Sequence, residues 1–265
     1  MGLTKQYLRY APIGTCNLVA SPGTSIAYLD DKHCVVGAAE NVYVWNLAKS
    51  EKVGEFAAAD HSRATIVKVS RLRRHLAVGY ANGTINIFDP NDRSTARVTF
   101  VGHRSEVTCL AFSADDLLIC SGGKDCAVII WDIVNEAGLY RLIGHSGPVT
   151  ECYFARHDVL ITSSKDSLLK FWDLSCQHCF YTLSVSRSEV WCFICAKEDQ
   201  FLLVGTAESE LYAYRIQWLV SEDEVELRLI TSLDNESDSL ILGASCHVRQ
   251  EKAEASRGSD ERRRR

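Results

Sequence analysis

Two stretches of this chain repeat one pattern, and that repeat restricts the available folds more than any other feature. Gly102–Asp132 reads GHRSEVTCLAFSADDLLICSGGKDCAVIIWD, and Gly144–Asp173 reads GHSGPVTECYFARHDVLITSSKDSLLKFWD. Each opens on Gly-His, runs through apolar segments and closes on Trp-Asp. A Lys-Asp pair, Lys124-Asp125 or Lys165-Asp166, stands at the same offset before each tryptophan. Self-similarity at a fixed period marks a fold made by stacking one supersecondary unit, because such a unit buries its apolar faces only against its neighbours.

Counting outward from Trp131 recovers weaker copies. Trp45 in ENVYVWN, Phe88 in ANGTINIFD, Trp131, Trp172 and Tyr214 in SELYAYR are separated by 43, 43, 41 and 42 residues. Gly-His and Trp-Asp at a period of about 40–45 residues form the WD-repeat signature, with four strands per propeller blade. We therefore expect an all-β WD-repeat propeller over residues 1–216, with five blades, incomplete beside a seven-bladed ring. A charged tail is expected over 217–265. In the third unit the strands are expected at Glu106–Phe112, Leu117–Gly122, Cys126–Ile133 and Leu139–Ile143. They are apolar on both parities, as a sheet sandwiched between neighbours requires. Asn82-Gly83, between two apolar runs, predicts a tight turn.

After Ile216 the text changes. Gln217–Ser239 is acidic, Leu240–Cys246 is a short apolar patch, and Arg249–Arg265 is charged and closes on four arginines. That composition buries little apolar surface of its own. The arginine run reads either as a nuclear-import or RNA-contacting tail or as a solvated terminus.

The net charge of −5 argues against bulk attraction to nucleic acid, while leaving room for a local basic patch. No apolar run is long enough to cross a membrane, and the N-terminus lacks the apolar core of a signal peptide. Most of the eleven cysteines are accordingly read as free thiols of a reducing intracellular compartment. Cys109, Cys120 and Cys152 fall inside apolar strands, where cysteine acts as a small hydrophobe.

Three constellations carry candidate chemistry. His103, Ser121, Asp125 and Trp131 stand at the offsets of a hydrogen-bonded WD tetrad, and His145, Thr162, Asp166 and Trp172 repeat it. A hydrolytic Ser-His-Asp triad needs one such site with an oxyanion hole. Here the set occurs twice and no G-x-S-x-G elbow precedes either hydroxyl, so both are read as structural. Cys176, Cys179, Cys192 and Cys195 have the spacing of a zinc site. Yet Cys192 and Cys195 fall on a strand, where positions three apart face opposite ways, so no metal is expected. Lys68, Arg71, Arg73, Arg74 and His75 form a basic cluster that reads as a phosphate contact or as a solvated loop. No cofactor, small-molecule substrate or enzymatic activity is expected.

The phrases MGLTKQYLRY, LAVGY-ANGTINIF, SGGKDCAVIIWDIVNEAGLYRLIGH and KFWDLSCQHCFYTL resemble the N-terminal propeller of the nucleolar WD repeat-containing protein 3 family over roughly residues 1–216. The resemblance implies a noncatalytic scaffold of the UTP-B subcomplex in the small-subunit processome. It implies partners among the other UTP-B proteins, and pre-ribosomal and small nucleolar RNA reached through the assembly. It also implies a nuclear, nucleolar location and a role in maturation of small-subunit (18S) ribosomal RNA. The family carries two propellers and a helical C-terminal domain, of which this chain offers five blades of the first.

Top-face contact positions of WD propellers, carried onto this chain, fall at Glu106, Thr108, Lys124, Thr150, Lys165, Glu189 and Trp191. Trp191 reads either as an exposed anchor or as a buried strand tryptophan. The rival readings are a stand-alone interaction adaptor, such as a ubiquitin-ligase receptor or signalling scaffold, and a truncated copy without function. Ubiquitin-ligase receptors of this kind usually carry Arg or Lys two residues after Trp-Asp, where this chain has Val134 and Ser175.

Overall fold

The computed structural model describes residues 20–21, 23–57, 61–92, 95–208, 210–220, 224–230 and 242–247. Those residues form antiparallel sheets of consecutive strands, with no helix among them. The first blade is β1 (Ile26–Tyr28), β2 (His33–Ala38), β3 (Asn41–Asn46) and β4 (Glu51–Phe56). The second is β5 (Ala64–Val69), β6 (Leu76–Tyr80), β7 (Thr84–Phe88) and β8 (Val98–Val101). The third is β9 (Val107–Phe112), β10 (Leu118–Gly123), β11 (Ala127–Asp132) and β12 (Ala137–Ile143). The fourth is β13 (Val149–Phe154), β14 (Val159–Ser164), β15 (Leu168–Asp173) and β16 (His178–Ser184). The fifth is β17 (Val190–Ala196), β18 (Phe201–Thr206), β19 (Leu211–Val220), β20 (Glu224–Ile230) and β21 (Leu242–His247). The five-bladed WD propeller read from the repeat is the fold.

The core lies between the sheets, in four layers, one for each successive pair of blades. Between blades two and three, Ile85, Ile87 and Phe100 meet Leu110, Ile129 and Trp131. Between three and four, Val128, Ile130 and Leu142 meet Cys152, Leu160 and Trp172. Along β11, Val128 and Ile130 thus face the following blade while Ile129 and Trp131 face the preceding one. This is why the strands read as apolar on both parities. Each aromatic anchor after the first (Phe88, Trp131, Trp172, Tyr214) packs in the layer shared with the blade before it.

Close approach of the sheets depends on absent side chains. A Cβ on Gly79 would stand 2.8 Å from Val107 Cγ1, and one on Gly122 would stand 2.6 Å from Val149 Cγ1. A threonine at the entry to the innermost strand laces each of the first three blades to the next. Thr24, Thr65 and Thr108 donate to the carbonyls of Ala64, Val107 and Val149, at 3.2, 2.6 and 2.5 Å. At the opposite end of the strands, the carboxylate of buried Asp116 accepts the backbone N–H groups of Arg71 and Leu72 from the preceding blade. Asp199 repeats this by accepting from the Arg156 backbone and the Tyr153 hydroxyl.

Two expectations change. The outer strand of the third blade begins at Ala137, two residues before the expected Leu139. A β-bulge between Ile130 and Trp131 re-registers the pair and sets Gly138 against the indole. The expected boundary after residue 216 lies inside β19, and β20 and β21 extend the fifth sheet. An outer strand must follow Tyr214 as β12 follows Trp131, so acidic text there does not mark the end of the blade. Residues 231–241 and 248–265, which hold the later acidic residues and the arginine run, lie outside the described residues. The Asn82-Gly83 turn joins β6 to β7 with Gly83 at φ 88°.

Gly122→Val is expected to destabilise the fold by about 2 kcal/mol through overpacking against Val149. Gly205→Val, at the matching register of the fifth blade, should cost clearly less, since an added Cβ there meets only Cys192. Urea unfolding of the two variants side by side measures the difference.

Candidate functional site

The two tetrads assemble as buried networks. In the third blade, Trp131 Nε1 donates to Ser121 Oγ at 2.8 Å, and His103 Nε2 lies 2.8 Å from the same oxygen. His103 Nδ1 lies 2.9 Å from Asp125 Oδ1. In the fourth blade, Trp172 donates to Thr162 at 2.8 Å, His145 Nε2 is 2.8 Å from Thr162 Oγ1, and its Nδ1 is 3.0 Å from Asp166. The hydroxyl oxygen accepts the indole N–H, and its own hydrogen can go to Nε2, although Ser121 Oγ also lies 3.3 Å from the Ile129 carbonyl. With the hydroxyl donating to Nε2, the imidazole is neutral and its proton sits on Nδ1, facing the aspartate.

The charges follow that arrangement. Burial lowers the pKa of His103 and His145, against the opposing pull of their aspartates. Burial by itself would raise the Asp125 and Asp166 carboxyls. The Arg104 and Ser146 backbone N–H groups, with the histidine hydrogen bonds, outweigh it and hold both below the usual carboxylate range. Each aspartate also closes its turn, accepting from Ala127 or Leu168. That contact holds Cys126 and Ser167 at φ 62° and 69°. Ser121 and Thr162 are 0% exposed, and each hydroxyl is held by the histidine and tryptophan of its own tetrad.

Among the described residues the other blades show no such network. Register places Val36, Val78 and Val204 where Ser121 and Thr162 stand, opposite the residues two before Trp45, Phe88 and Tyr214. The valines fill the site with apolar contact, and in the first blade the Trp45 indole N–H has no partner among the described residues.

The end of the propeller that carries the tetrads presents the seven top-face candidates. Glu106 accepts from Lys124 of its own blade and from Arg63 of the preceding one, the latter at 3.1 Å. Lys165 Nζ lies 3.3 Å from Glu189 and 3.9 Å from the centre of the Trp191 ring, joining blades four and five by an ion pair and a cation–π contact. Trp191 is 51% exposed. Thr108 spends its hydroxyl on the carbonyls of Gly122 and Val149, and Thr150 is 2.7 Å from Ser163 Oγ. Arg63 is a member that sequence reasoning missed. Its signal was available, because it stands 43 residues before Glu106, one repeat away.

The four candidate zinc cysteines do not come together. Cys176 and Cys179 lie at the outer edge of the fourth blade, at the turn into β16, whereas Cys192 and Cys195 lie on the innermost strand β17 of the fifth. Cys179 Sγ is 3.4 Å from the Tyr181 carbonyl. Burial pushes the Cys195 thiol up to about 12. Within the basic cluster, Arg73 lies 3.9 Å from Asp31 and His75 stacks against Phe112.

Residues 32–216 match the family model described as WDR3 first beta-propeller domain. The chain is 32% identical over 168 residues to U3 small nucleolar RNA-associated protein 12 of Saccharomyces cerevisiae, covering 59% of this chain and 18% of that protein. It is 40% identical over 93 residues to WD repeat-containing protein 3 of Mus musculus, covering 33% of this chain and 10% of the relative. It is also 28% identical over 145 residues to anaphase-promoting complex subunit cdh1 of Dictyostelium discoideum, covering 53% and 19%. The chain thus spans less than a fifth of the length of each.

A histidine whose folded pKa lies below its unfolded value leaves the unfolded chain binding more protons, so stability falls as pH drops below about 6.5. The lowered aspartates act in the same direction below about pH 4. The urea midpoint is therefore expected to fall between pH 7.5 and 5.5. Replacing both His103 and His145 by Gln should flatten that slope while lowering stability at neutral pH by about 2 kcal/mol or more.

Proposed function

We propose a function from one premise: the chain belongs to the family of WDR3 first beta-propeller domains. On that premise it is a noncatalytic scaffold in ribosome biogenesis. It acts in assembly of the small-subunit processome and in maturation of small-subunit ribosomal RNA, in the nucleolus. Its partners are UTP-B proteins held on the top face, with pre-ribosomal and small nucleolar RNA gathered through the assembly. The family match over 32–216 carries the reading, and similarity to the yeast relative, a U3 small nucleolar RNA-associated protein, supports it.

The geometry supports a protein-binding role for the top face. Trp191 offers half its surface as a rigid anchor, held in place by Lys165, which Glu189 neutralises in turn. Aromatic and basic residues of this kind carry much of the energy of protein interfaces. The Arg63–Glu106–Lys124 group provides a second polar contact point on the same end. Displacing one member of either group frees its partner to pair with an incoming side chain, at little cost for exposed ion pairs.

Affinity capture of the full chain from cells, with identification of bound protein and RNA, tests the assignment. Recovery of UTP-B proteins together with pre-ribosomal RNA is expected, and recovery of neither would sink it. Capture of a different, RNA-free assembly would favour the adaptor reading. Trp191→Ala is expected to reduce recovery of the protein partner by about tenfold or more at unchanged thermal stability.

A further inference from the structure

At the end of the propeller opposite the tetrads, the innermost strands of blades two to five surround a cavity of about 380 Å³. The Phe112, Phe193 and Ile194 side chains give it apolar walls, and three charged side chains line it: Lys68, Arg71 and Glu151. None of these three makes a side-chain hydrogen bond or ion pair among the described residues, unlike Arg63, Lys124, Arg141, Arg156 and Lys165 elsewhere. The other polar groups nearby are already engaged. The Tyr153 hydroxyl donates to Asp199 at 2.9 Å, and the Arg71 backbone N–H donates to Asp116. The Asp116 contact anchors the turn that carries Arg71. Burial raises the Glu151 carboxyl, and nearby Lys68 and the Cys152 backbone N–H oppose it, as for a carboxylate in an apolar recess with no side-chain donor.

The unmet chemistry defines a ligand. Two cations against one carboxylate leave a single net positive charge, which suits a monoanion better than a phosphate dianion. Glu151 requires an N–H donor beside that anion, and the aromatic and aliphatic walls require an apolar body. The volume lies near the lower end for small-ligand sites. We propose that this cavity binds the C-terminal residue of a polypeptide ending in an apolar side chain. The terminal carboxylate accepts from Arg71 and Lys68, the terminal amide N–H donates to Glu151, and the side chain packs on Phe112, Phe193 and Ile194. A free apolar amino acid shares the carboxylate and an N–H donor, but carries an ammonium where the polypeptide has a neutral amide. This site does not depend on the ribosomal assignment.

Calorimetric titration of the full chain with N-acetyl-leucine tests the proposal. Saturable binding with a Kd on the order of 1 mM is expected for so small a probe. N-acetyl-leucine amide, which lacks the carboxylate, should bind at least about tenfold more weakly. Arg71→Gln and Lys68→Gln are each expected to weaken the acid by about tenfold. Arg73→Gln, on the same turn but outside the cavity, should leave binding unchanged. The substituted side chains are exposed, and thermal melts of all three variants report that the fold is kept. Equal affinity for acid and amide, or no saturable binding into the tens of millimolar, overturns the site. Free leucine binding more than about tenfold tighter than its acetylated form overturns the polypeptide assignment, because Glu151 would then be holding an ammonium.

Discussion

A four-stranded sheet that is apolar on both faces has to be covered on both, and in this chain its neighbours in sequence do the covering. The distance between sheets is set where the backbone of one blade lies against the side chains of the next. Gly79 meets Val107 there and Gly122 meets Val149, with no room for a Cβ. At the same level the threonine hydroxyls reach across to the next blade's first inner-strand carbonyl. Small residue, β-branched residue and hydroxyl therefore form one joint, repeated between blades two and three and between blades three and four. The fifth blade departs from it, with Trp191 at the threonine register. Its Ile194 and Leu211, whose counterparts Ala111 and Val128 are buried under the fourth blade, are exposed.

The tetrads act at a different point. They tie the innermost strand's entry, the second strand and the third strand of one blade together, and through their aspartates they hold a turn in a left-handed conformation. Blades three and four use this polar solution, while blades one, two and five put valine in the same place. Both are stable for the same reason. A buried polar set is tolerated when every member is paired, and an apolar set when no member is polar. Trp45 sits between the two solutions, with an indole N–H that has no partner among the described residues.

The same joints position the surface groups. Asp116 and Asp199 pin turns of the preceding blade at one end, and this places Arg71 at the cavity. At the other end, the turn after the second strand carries Lys124 and Lys165 over the inner-strand entries of their own and the following blade. Side chains that lie far apart in sequence, such as Arg63 and Glu106 or Lys165 and Trp191, meet because one repeat of chain separates adjacent blades.

The repeat text by itself determined the blade count, the strand order and the tetrads. Each depends on spacing within one unit, and spacing survives as a pattern of residue types. Arg63 and the threonine lace were also present as repeats of about 42 residues, in positions where the residue type does not suggest a role. Four things were decided by the tertiary structure alone. Trp191 is exposed, because exposure depends on the neighbouring blade. The strands continue past residue 216, because pairing there overrides acidic composition. The four cysteines stay apart, because inner and outer strands of neighbouring blades do not meet. Lys68, Arg71 and Glu151 converge on one cavity, because their side chains come from blades two and four and meet only where the inner strands surround a common space.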